Sequence, residues 1–305
     1  MSESVPGEAF VPNPSTGFSA DTVSAADLIR ESVRTLAAVG APSPVADART
    51  LVGLVLGLTP TQLLTAGNPT GPQLRRVREL VSRRAAGVPL QHLTREAWFR
   101  TVRLTVGPGV FVPRPETEVM TGWALARLAE LPAPATVVEL CAGSGAISLA
   151  LVTEAPEHHY YAVEKSPTAY AYAATNLAGT GVDLREGDMA DAFADLTGRV
   201  DLVVVNPPYI PLTAYEQVAE EVRRHEPELA LFSGDDGLDA TRQVARIGQR
   251  LLRPGGRICS EHAEVQGESA PAIFVAAGYD QVRDHPDLTR RPRFVTARRP
   301  GPAGA

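Results

Sequence analysis

The sequence predicts an α/β fold preceded by a small helical bundle, and changes of pattern along the chain support this. From Thr136 onward, short apolar runs alternate with stretches of helical periodicity, which is typical of a parallel sheet covered by helices on both faces. Residues from about 21 to 90 show only helical periodicity, and a segment starting at Trp98 alternates apolar and polar residues. We therefore expect a helical bundle, a linking β-hairpin and a larger α/β domain.

The expected boundaries follow these changes of pattern. They give a disordered leader at 1–20, the helical bundle at 21–95, the hairpin at 96–115, the α/β domain at 116–300 and a disordered tail at 301–305. The leader lacks the basic start and apolar stretch of a secretory signal. The apolar run at 51–58 is too short to cross a bilayer, so no membrane span is expected.

Four helices are predicted in the bundle, and the residues at their ends mark the first and the third. Ser24 stands where an N-cap is expected, and Gly40 ends the first helix. Pro60 suits the first turn of a short third helix, because a proline there loses no hydrogen bond. The second and fourth helices are expected at 44–57 and 71–87. Their short connections favour antiparallel neighbours.

The linking segment is predicted to be a hairpin that turns around Gly107, Pro108 and Gly109, because glycine and proline favour turns. A helix is expected from Pro115 to Arg127, since carboxylates in its first turn offset the helix dipole. Strands are expected at 136–140, 160–164, 183–186, 201–206, 256–261 and 293–298. Parallel sheets bind ligands beyond the carboxyl ends of their strands, so we expect the functional residues to lie there.

Composition and charge exclude several classes of protein. Cys141 and Cys259 are too few for a disulfide framework, which fits a reducing cytoplasm. His158 and His159 have no partner at metal-ligand spacing, so no metal site is expected. The net charge of -6 argues against a protein that coats nucleic acid with its whole surface. Residues 74–103 nevertheless hold eight arginines against two glutamates; this segment is either a solvated helix face or a docking surface for an acidic or RNA-bound partner.

The glycine-rich turn after the first strand of the α/β domain is a candidate ligand site. Gly143 and Gly145 let the backbone approach a ligand where a side chain would collide. The turn is not a complete dinucleotide fingerprint, because Ser148 stands where the third glycine is required. On its own the turn is also compatible with an ordinary strand-to-helix connection.

Acidic residues at the ends of the next two strands make this site more specific. Glu164 follows about 20 residues later, where a carboxylate can accept hydrogen bonds from both hydroxyls of a ribose. Asp188 can accept from an exocyclic adenine amine, and Met189 can cover the ring. Either acid alone could be a helix cap or a surface charge. Together the three strand ends predict an adenosine bound without a pyrophosphate, and S-adenosylmethionine is such a molecule.

The fourth strand ends in Asn206, Pro207, Pro208 and Tyr209. Two prolines end the strand and stiffen the turn, because proline cannot donate to a sheet ladder. The Asn206 side-chain oxygen and the Pro207 carbonyl then match the two donors of a planar NH2 group, with Tyr209 packed on its flat face. Such a grip aims a weakly nucleophilic nitrogen at a sulfonium methyl, so methyl transfer by positioning, without a dedicated general base, is expected. The alternative is a rigid loop with a structural asparagine.

These motifs resemble those of known enzymes. ELCAGSGA at 139–146 and NPPY at 206–209 resemble the class I S-adenosylmethionine-dependent methyltransferases that act on planar NH2 groups, whose sheet is Rossmann-like. The chain is more narrowly similar to the release factor glutamine methyltransferases, in VFVPRPETE, NPPYIP, HEPELALFSGDDGLD and LRPGGRICSEH. NPPY alone is shared with DNA methyltransferases, so the other segments are the discriminating ones. The resemblance covers nearly the whole chain after the leader.

The resemblance implies methylation of the side-chain nitrogen of the glutamine in the Gly-Gly-Gln motif of class I peptide chain release factors. It implies that Asn206, Pro207 and Tyr209 are catalytic. The cofactor-binding residues would be Glu139, Cys141, Ala142, Gly143, Ser144, Gly145, Glu164, Asp188, Met189 and Asn206. For the substrate it implies Asn206, Pro207, Pro208 and Tyr209; Phe111, Arg114 and Glu118 are added to the substrate-binding residues because their place between the expected domains would let them wall the cleft. The helical bundle would dock the release factor.

This sequence departs from the commoner family pattern at three positions. Glu139 and Glu164 stand where aspartates are usual, and Met189 where an aromatic residue is often found. The longer acids can still reach a ligand by a change of rotamer, so cofactor affinity is affected more than activity. Phe111, Arg114 and Glu118 have an alternative role, as a hairpin-to-helix junction fixed by an ion pair.

Two other functions stay open. A nucleic-acid amino methyltransferase could use the same NPPY site on a flipped base, with the arginine-rich segment contacting phosphates. A non-catalytic binding module could retain the fold. The acidic net charge and the narrower motifs oppose the first, and the intact Asn206 and glycine turn oppose the second. We expect a monomeric cytoplasmic enzyme whose partners include neither a membrane nor a direct nucleic-acid substrate.

Overall fold

The computed structural model describes residues 23–301, which form two compact units divided between Ala86 and Gly87. The expected leader and the residues 302–305 of the expected tail lie outside the described residues. Within the described range, no helix combines the length and the apolar character needed to span a membrane.

The first unit is a small bundle of three α-helices and one 3₁₀ turn. The elements are α1 (Ala25–Ala38), α2 (Pro44–Leu56), the 3₁₀ turn (Gln62–Thr65) and α3 (Gly71–Ala85). The Ser24 hydroxyl accepts a hydrogen bond from the Asp27 amide at 3.1 Å, which confirms the predicted N-cap. The predicted short third helix is only this 3₁₀ turn. The bundle core consists of Leu28, Leu36, Leu51, Val52, Val77 and Leu80, all fully or almost fully buried.

Most of the arginines at 74–103 are paired with carboxylates. Within the bundle, Arg84 lies 2.7 Å from Asp47 and both side chains are only 8% exposed, so this pair belongs to the interior of the unit. Arg76, Arg78, Arg100 and Arg103 also form ion pairs. Five of the eight arginines are therefore already neutralised by carboxylates of the protein itself. This favours a structural role for these arginines over the binding of phosphates.

The second unit starts with a short helix, α4 (Leu90–Thr94), and the hairpin of β1 (Glu96–Phe99) and β2 (Val102–Thr105). The predicted turn position is wrong: Phe99 pairs with Val102, so the chain turns at Arg100, whose φ is 51°, and at the residue after it. Glycine is required at position 107 for a different reason: a Cβ there would lie 2.4 Å from the Tyr172 hydroxyl of a later helix. The glycine allows a close approach of two segments and does not form the turn.

The sheet of the second unit has seven strands, so the predicted α/β fold is confirmed. They are β3 (Thr136–Leu140), β4 (His159–Glu164), β5 (Asp183–Glu186), β6 (Val200–Val205), β7 (Leu252–Glu261), β8 (Asp280–Pro286) and β9 (Pro292–Arg298). Their order is β5-β4-β3-β6-β7-β9-β8, with the first five strands parallel. The expected parallel pairing holds for these five strands, whereas β9 runs antiparallel to both β7 and β8. Strand β8 was not predicted, since most of its residues are polar or exposed.

Helices cover both faces of this sheet. They are α5 (Pro115–Leu128), α6 (Ala146–Glu154), α7 (Pro167–Asn176), α8 (Glu220–His225), α9 (Asp239–Leu251) and α10 (Ser269–Ala276). Side chains of β6 alternate between the two faces: Leu202 and Val204 pack with α5 and α6, whereas Val203 and Val205 pack with α9 and α10. This double cover leaves the carboxyl ends of the parallel strands as the place where loops can form a ligand site.

Candidate active site

A cavity of about 560 Å³ lies beyond the carboxyl ends of β3, β4, β5 and β6. This volume is within the usual range for small-molecule sites. Thirteen of the sixteen predicted site residues line it: Phe111, Arg114, Glu139, Cys141, Ala142, Gly143, Ser144, Glu164, Asp188, Met189, Asn206, Pro208 and Tyr209. The other three, Glu118, Gly145 and Pro207, are not among the lining residues. The structure therefore brings most of the predicted residues to one cavity.

Glu118 contacts the hairpin. Its carboxylate accepts a hydrogen bond from the Arg100 amide at 3.0 Å, and the Arg100 guanidinium donates to the Glu118 carbonyl at 3.2 Å. The same guanidinium forms an ion pair with Glu154 at 2.7 Å. These contacts fix the hairpin turn to α5 and α6, and a role of Glu118 in substrate binding stays a prediction.

The glycine turn after β3 is attached to Glu164, the last residue of β4. The Gly143 amide donates to one carboxylate oxygen of Glu164 at 2.7 Å, and the Ser166 amide donates to the other at the same distance. The side chain is largely buried, and this burial raises its pKa above the usual value for a glutamate. A carboxylate has about four lone-pair sites, so two remain for the hydroxyls of a ribose.

Glu139, in β3, is buried below the turn with only 2% of its surface exposed. Its carboxyl accepts hydrogen bonds from the Ser148 amide at 2.9 Å and from the Ser148 hydroxyl, in the first turn of α6. Burial raises its pKa to about 8, so the carboxyl is mainly protonated at neutral pH. Glu139 therefore supports the start of α6 as well as the cavity wall.

Asp188 and Met189, which follow β5, both line the cavity. Asp188 accepts from the Ala190 amide at 2.9 Å and pairs with Lys165 at 2.9 Å, and both contacts lower its pKa. Lys165, which was not predicted, also lines the cavity. The Met189 sulfur lies 3.6 Å from the Cys141 sulfur and is almost buried. An apolar side chain beside charged ones suits a flat base attached to a ribose.

The NPPY turn is connected to two residues that the sequence did not single out. The Asn206 side-chain nitrogen donates to the Thr117 hydroxyl at 3.1 Å, and that hydroxyl donates to Glu261 at 2.7 Å. The Tyr209 hydroxyl donates to the other oxygen of Glu261 at 3.1 Å. Glu261 was recognisable as an acid at the end of a predicted buried strand, like Glu164, but nothing in the sequence indicated its partners.

The segment 210–233 closes one side of the cavity. Val218, Val222, Pro227, Leu229 and Leu231 give it an apolar wall. Glu226 forms an ion pair with Arg114, whose guanidinium also stacks over the Phe111 ring at 4.9 Å from the ring centre. Glu226 is buried, and this raises its pKa despite the arginine. The ion pair thus ties the segment to the start of α5.

The groups that line the cavity fit S-adenosylmethionine. A glycine turn allows close approach of the backbone, Glu164 has lone pairs left for two hydroxyls, and Met189 offers an apolar surface to a base. Among the described residues, no group of three or more histidine, cysteine, aspartate or glutamate side chains is arranged to hold a metal ion.

Comparison with known proteins gives matches over most of the chain. Residues 27–94 match the PrmC N-terminal domain, and residues 102–226 match the Methyltransferase small domain. A release factor glutamine methyltransferase of Streptomyces coelicolor is 50% identical over 89% of this chain and 96% of its own length. A protein of the same name from Mycolicibacterium smegmatis is 42% identical over the same shares. A 4-amino-L-phenylalanine/4-methylamino-L-phenylalanine methyltransferase of Streptomyces pristinaespiralis is 40% identical over 79% of this chain and 83% of its own length.

These matches agree with the sheet and the cavity. A chain with this methyltransferase domain takes its methyl group from S-adenosylmethionine, and the residues that could hold that molecule are present. Because relatives of 50% and 42% identity match it over 89% of its length, this chain belongs to the release factor glutamine methyltransferase family.

Proposed function

We propose that this protein transfers a methyl group from S-adenosylmethionine to the side-chain nitrogen of the glutamine in the Gly-Gly-Gln motif of class I peptide chain release factors. The observation that carries the proposal is the orientation of Asn206. Its NH2 group is used by Thr117, which leaves the side-chain oxygen available to accept from a ligand in the cavity. With the carbonyl of Pro207 next to it, this oxygen would grip both hydrogens of a carboxamide.

The protein residues act by orientation. An amide nitrogen is a poor nucleophile, because its lone pair is delocalised into the carbonyl. Two acceptors at fixed positions aim that lone pair and stabilise the positive charge that develops on the nitrogen. Tyr209 would pack against the flat face of the amide, and its carbonyl is fixed by the Gln266 side chain at 3.0 Å. S-adenosylmethionine, when bound, supplies the electrophilic methyl group.

The direct test is to incubate the protein with labelled S-adenosylmethionine and a purified class I release factor, and to locate the methyl group by mass spectrometry. We expect one methyl group on the Gly-Gly-Gln glutamine. A release factor in which that glutamine is replaced by alanine serves as the control and should remain unlabelled. Label in ribosomal RNA and none in the factor would instead support the nucleic-acid alternative.

The first prediction concerns Asn206→Ala. This change removes one of the two acceptors, so turnover should fall by roughly two to four orders of magnitude. The affinity for cofactor, measured by calorimetry with S-adenosylhomocysteine, should change much less. A turnover near that of the unaltered protein would show that Asn206 does not grip the substrate.

One relative suggests a second candidate substrate. The Streptomyces pristinaespiralis protein, 40% identical, is named for methylation of an aromatic amino acid with an amino group on its ring. A planar arylamine also presents two N–H donors, so the same Asn206 oxygen could accept from it. Competition between 4-amino-L-phenylalanine and a release factor separates the two candidate substrates. A much larger kcat/KM for the small amine would show that the amine, and not the release factor, is the substrate.

We also propose that the helical bundle docks the release factor. Leu64, in the 3₁₀ turn, is 78% exposed, so its side chain is available for contact with another protein. The second prediction is that Leu64→Glu raises KM for the intact release factor several-fold. KM for a short Gly-Gly-Gln peptide and the melting temperature should stay the same, because exposed substitutions cost little stability. Equal effects on factor and peptide would contradict docking at this position.

A further inference from the structure

We propose that Glu261 is a positioning residue that sets the orientation of the Asn206 side-chain amide. The inference rests on the proposed function, in which Asn206 grips the NH2 group of the substrate. Glu261 is the last residue of β7 and is 1% exposed. It has no need to touch the substrate, because it acts through Thr117 and Tyr209.

The orientation of Asn206 depends on which of the neighbouring groups can donate a hydrogen bond. An ionised carboxylate can only accept hydrogen bonds, and a threonine hydroxyl has a single hydrogen. At 2.7 Å from Glu261, the Thr117 hydroxyl directs that hydrogen to the carboxylate. Towards Asn206, at 3.1 Å, Thr117 therefore offers only a lone pair. The atom of Asn206 that faces it must be the nitrogen.

This fixes the other end of the amide. The oxygen and nitrogen of an asparagine side chain have nearly the same shape, so packing alone does not decide between the two orientations. With the nitrogen assigned to Thr117, the oxygen is the atom left for the cavity. In the reversed orientation Asn206 would present an NH2 group to the NH2 group of the substrate, and two donors cannot bond to each other.

The second oxygen of Glu261 accepts from the Tyr209 hydroxyl at 3.1 Å. One buried carboxylate thus connects to both side chains that are proposed to contact the substrate amide. Burying an ionisable group is costly unless hydrogen bonds compensate for the lost water. Two hydroxyl donors give part of that compensation here, and they also transmit the position of β7 to the NPPY turn.

The direction of these hydrogen bonds depends on the charge of Glu261. Burial raises its pKa to about 7, Arg293 on β9 opposes this shift, and Glu116 on α5 reinforces it. A protonated carboxyl has a hydrogen of its own to donate to Thr117, and the Thr117 hydrogen is then free to turn to Asn206. We therefore expect turnover of the wild-type protein to decrease as the pH falls below about 7.

The test compares substitutions along this chain of contacts. Glu261→Gln keeps the shape but adds a donor, and Thr117→Val removes the hydroxyl; each should lower kcat by about 10- to 100-fold with little change in KM for S-adenosylmethionine. Thr117→Ser restores the hydroxyl and should recover most of that loss. Combined with Asn206→Ala, Glu261→Gln should cause a much smaller loss than it causes alone, because most of its effect passes through Asn206 and only the contact with Tyr209 remains. A full additional loss in the double variant would overturn the proposal.

Two readouts separate positioning from a purely structural role. The decrease in rate at low pH should be absent from Glu261→Gln, because glutamine does not titrate; an unchanged pH profile would contradict the proposal.

The side-chain NH2 signals of Asn206, assigned by NMR from their loss in Asn206→Ala, should shift in Glu261→Gln and Thr117→Val but much less in Thr117→Ser. The NMR result does not require a substrate, so it stands even if no release factor is methylated, an outcome that would refute the proposed function alone. Unshifted Asn206 signals in both variants would refute the positioning role.

Discussion

Two glycines in the turn after β3 have different surroundings although they are only two positions apart. Gly145 has φ +78°, and a Cβ there would lie 3.1 Å from two carbons of Leu177. Gly143 has φ +57°, with no protein atom within 4 Å of a Cβ, and it lines the cavity. Both positions strain an ordinary residue by about 1–2 kcal/mol. At Gly145 an added Cβ would also crowd the buried Leu177 side chain.

The third prediction follows from this difference. Gly145→Ala should lower the melting temperature more than Gly143→Ala, because Leu177 must move. Gly143→Ala should weaken S-adenosylhomocysteine binding more, because its methyl group enters the cavity. Thermal unfolding and calorimetry on the two variants give the comparison. If one variant showed both the lower melting temperature and the weaker binding, the prediction would be contradicted.

The residues of the candidate site were partly predictable from the sequence. Asn206 and Glu164 each end an apolar strand, so their type and position together indicated a ligand. Thr117 gave no such signal, because it meets Glu261 across 144 positions of the chain. A local pattern can show which side chains end a strand, but it cannot show which side chains the fold brings opposite them.

Among the elements, the segment after the NPPY turn depends on one ion pair whose two members are unequally buried. Glu226 has 2% of its side chain exposed and Arg114 has 34%. If Arg114 is removed, a buried carboxyl loses its partner; if Glu226 is neutralised, the arginine can still be hydrated. The two halves of the pair therefore do not contribute equally to the position of the segment.

The fourth prediction is that Arg114→Met loosens the segment 210–233 more than Glu226→Gln does. Hydrogen exchange of the amides in this segment should become several-fold faster in the arginine variant and change less in the glutamine variant. KM for the release factor should rise in the same order, since the segment walls the cavity. Equal exchange rates in the two variants would show that the ion pair does not fix the segment.

The elements also show where local patterns are sufficient. Helix α1 was predictable because its cap, Ser24, makes a local hydrogen bond to the first turn of the helix. The hairpin turn was placed wrongly because Gly107 and Gly109 resemble turn residues, whereas the chain turns at Arg100, whose side chain is fixed by Glu154. Tertiary contacts can thus place a turn where its residues give no local preference for one.

For the whole molecule, the buried carboxyls of Glu139, Glu164, Glu226 and Glu261, all with raised pKa, link stability to pH, and the shifts of Glu139 and Glu261 are large. Glu139 and Glu261 have pKa values of about 8 and about 7 in the folded protein, against 4.5 for an ordinary glutamate. Between pH 4.5 and those values, the folded chain binds protons that the unfolded chain has lost. The stability from these two groups is fully present below pH 4.5 and is lost as the pH rises. Asp236 and Asp287, whose pKa values are lowered to about 2, act in the opposite sense, but only in more acidic solution.

The fifth prediction is that the free energy of unfolding decreases from pH 6 to pH 8, by about 2 kcal/mol from Glu139 alone. Denaturant unfolding at the two pH values measures this difference, which should shrink in Glu139→Gln and stay unchanged in the control Glu186→Gln, where the carboxylate is exposed. The same difference in both variants would show that Glu139 does not carry the effect. Because the proposed orientation of Asn206 requires Glu261 to be ionised, turnover should rise over part of the range in which stability falls. The protein is therefore expected to be most active at a pH where it has already lost some of its maximum stability.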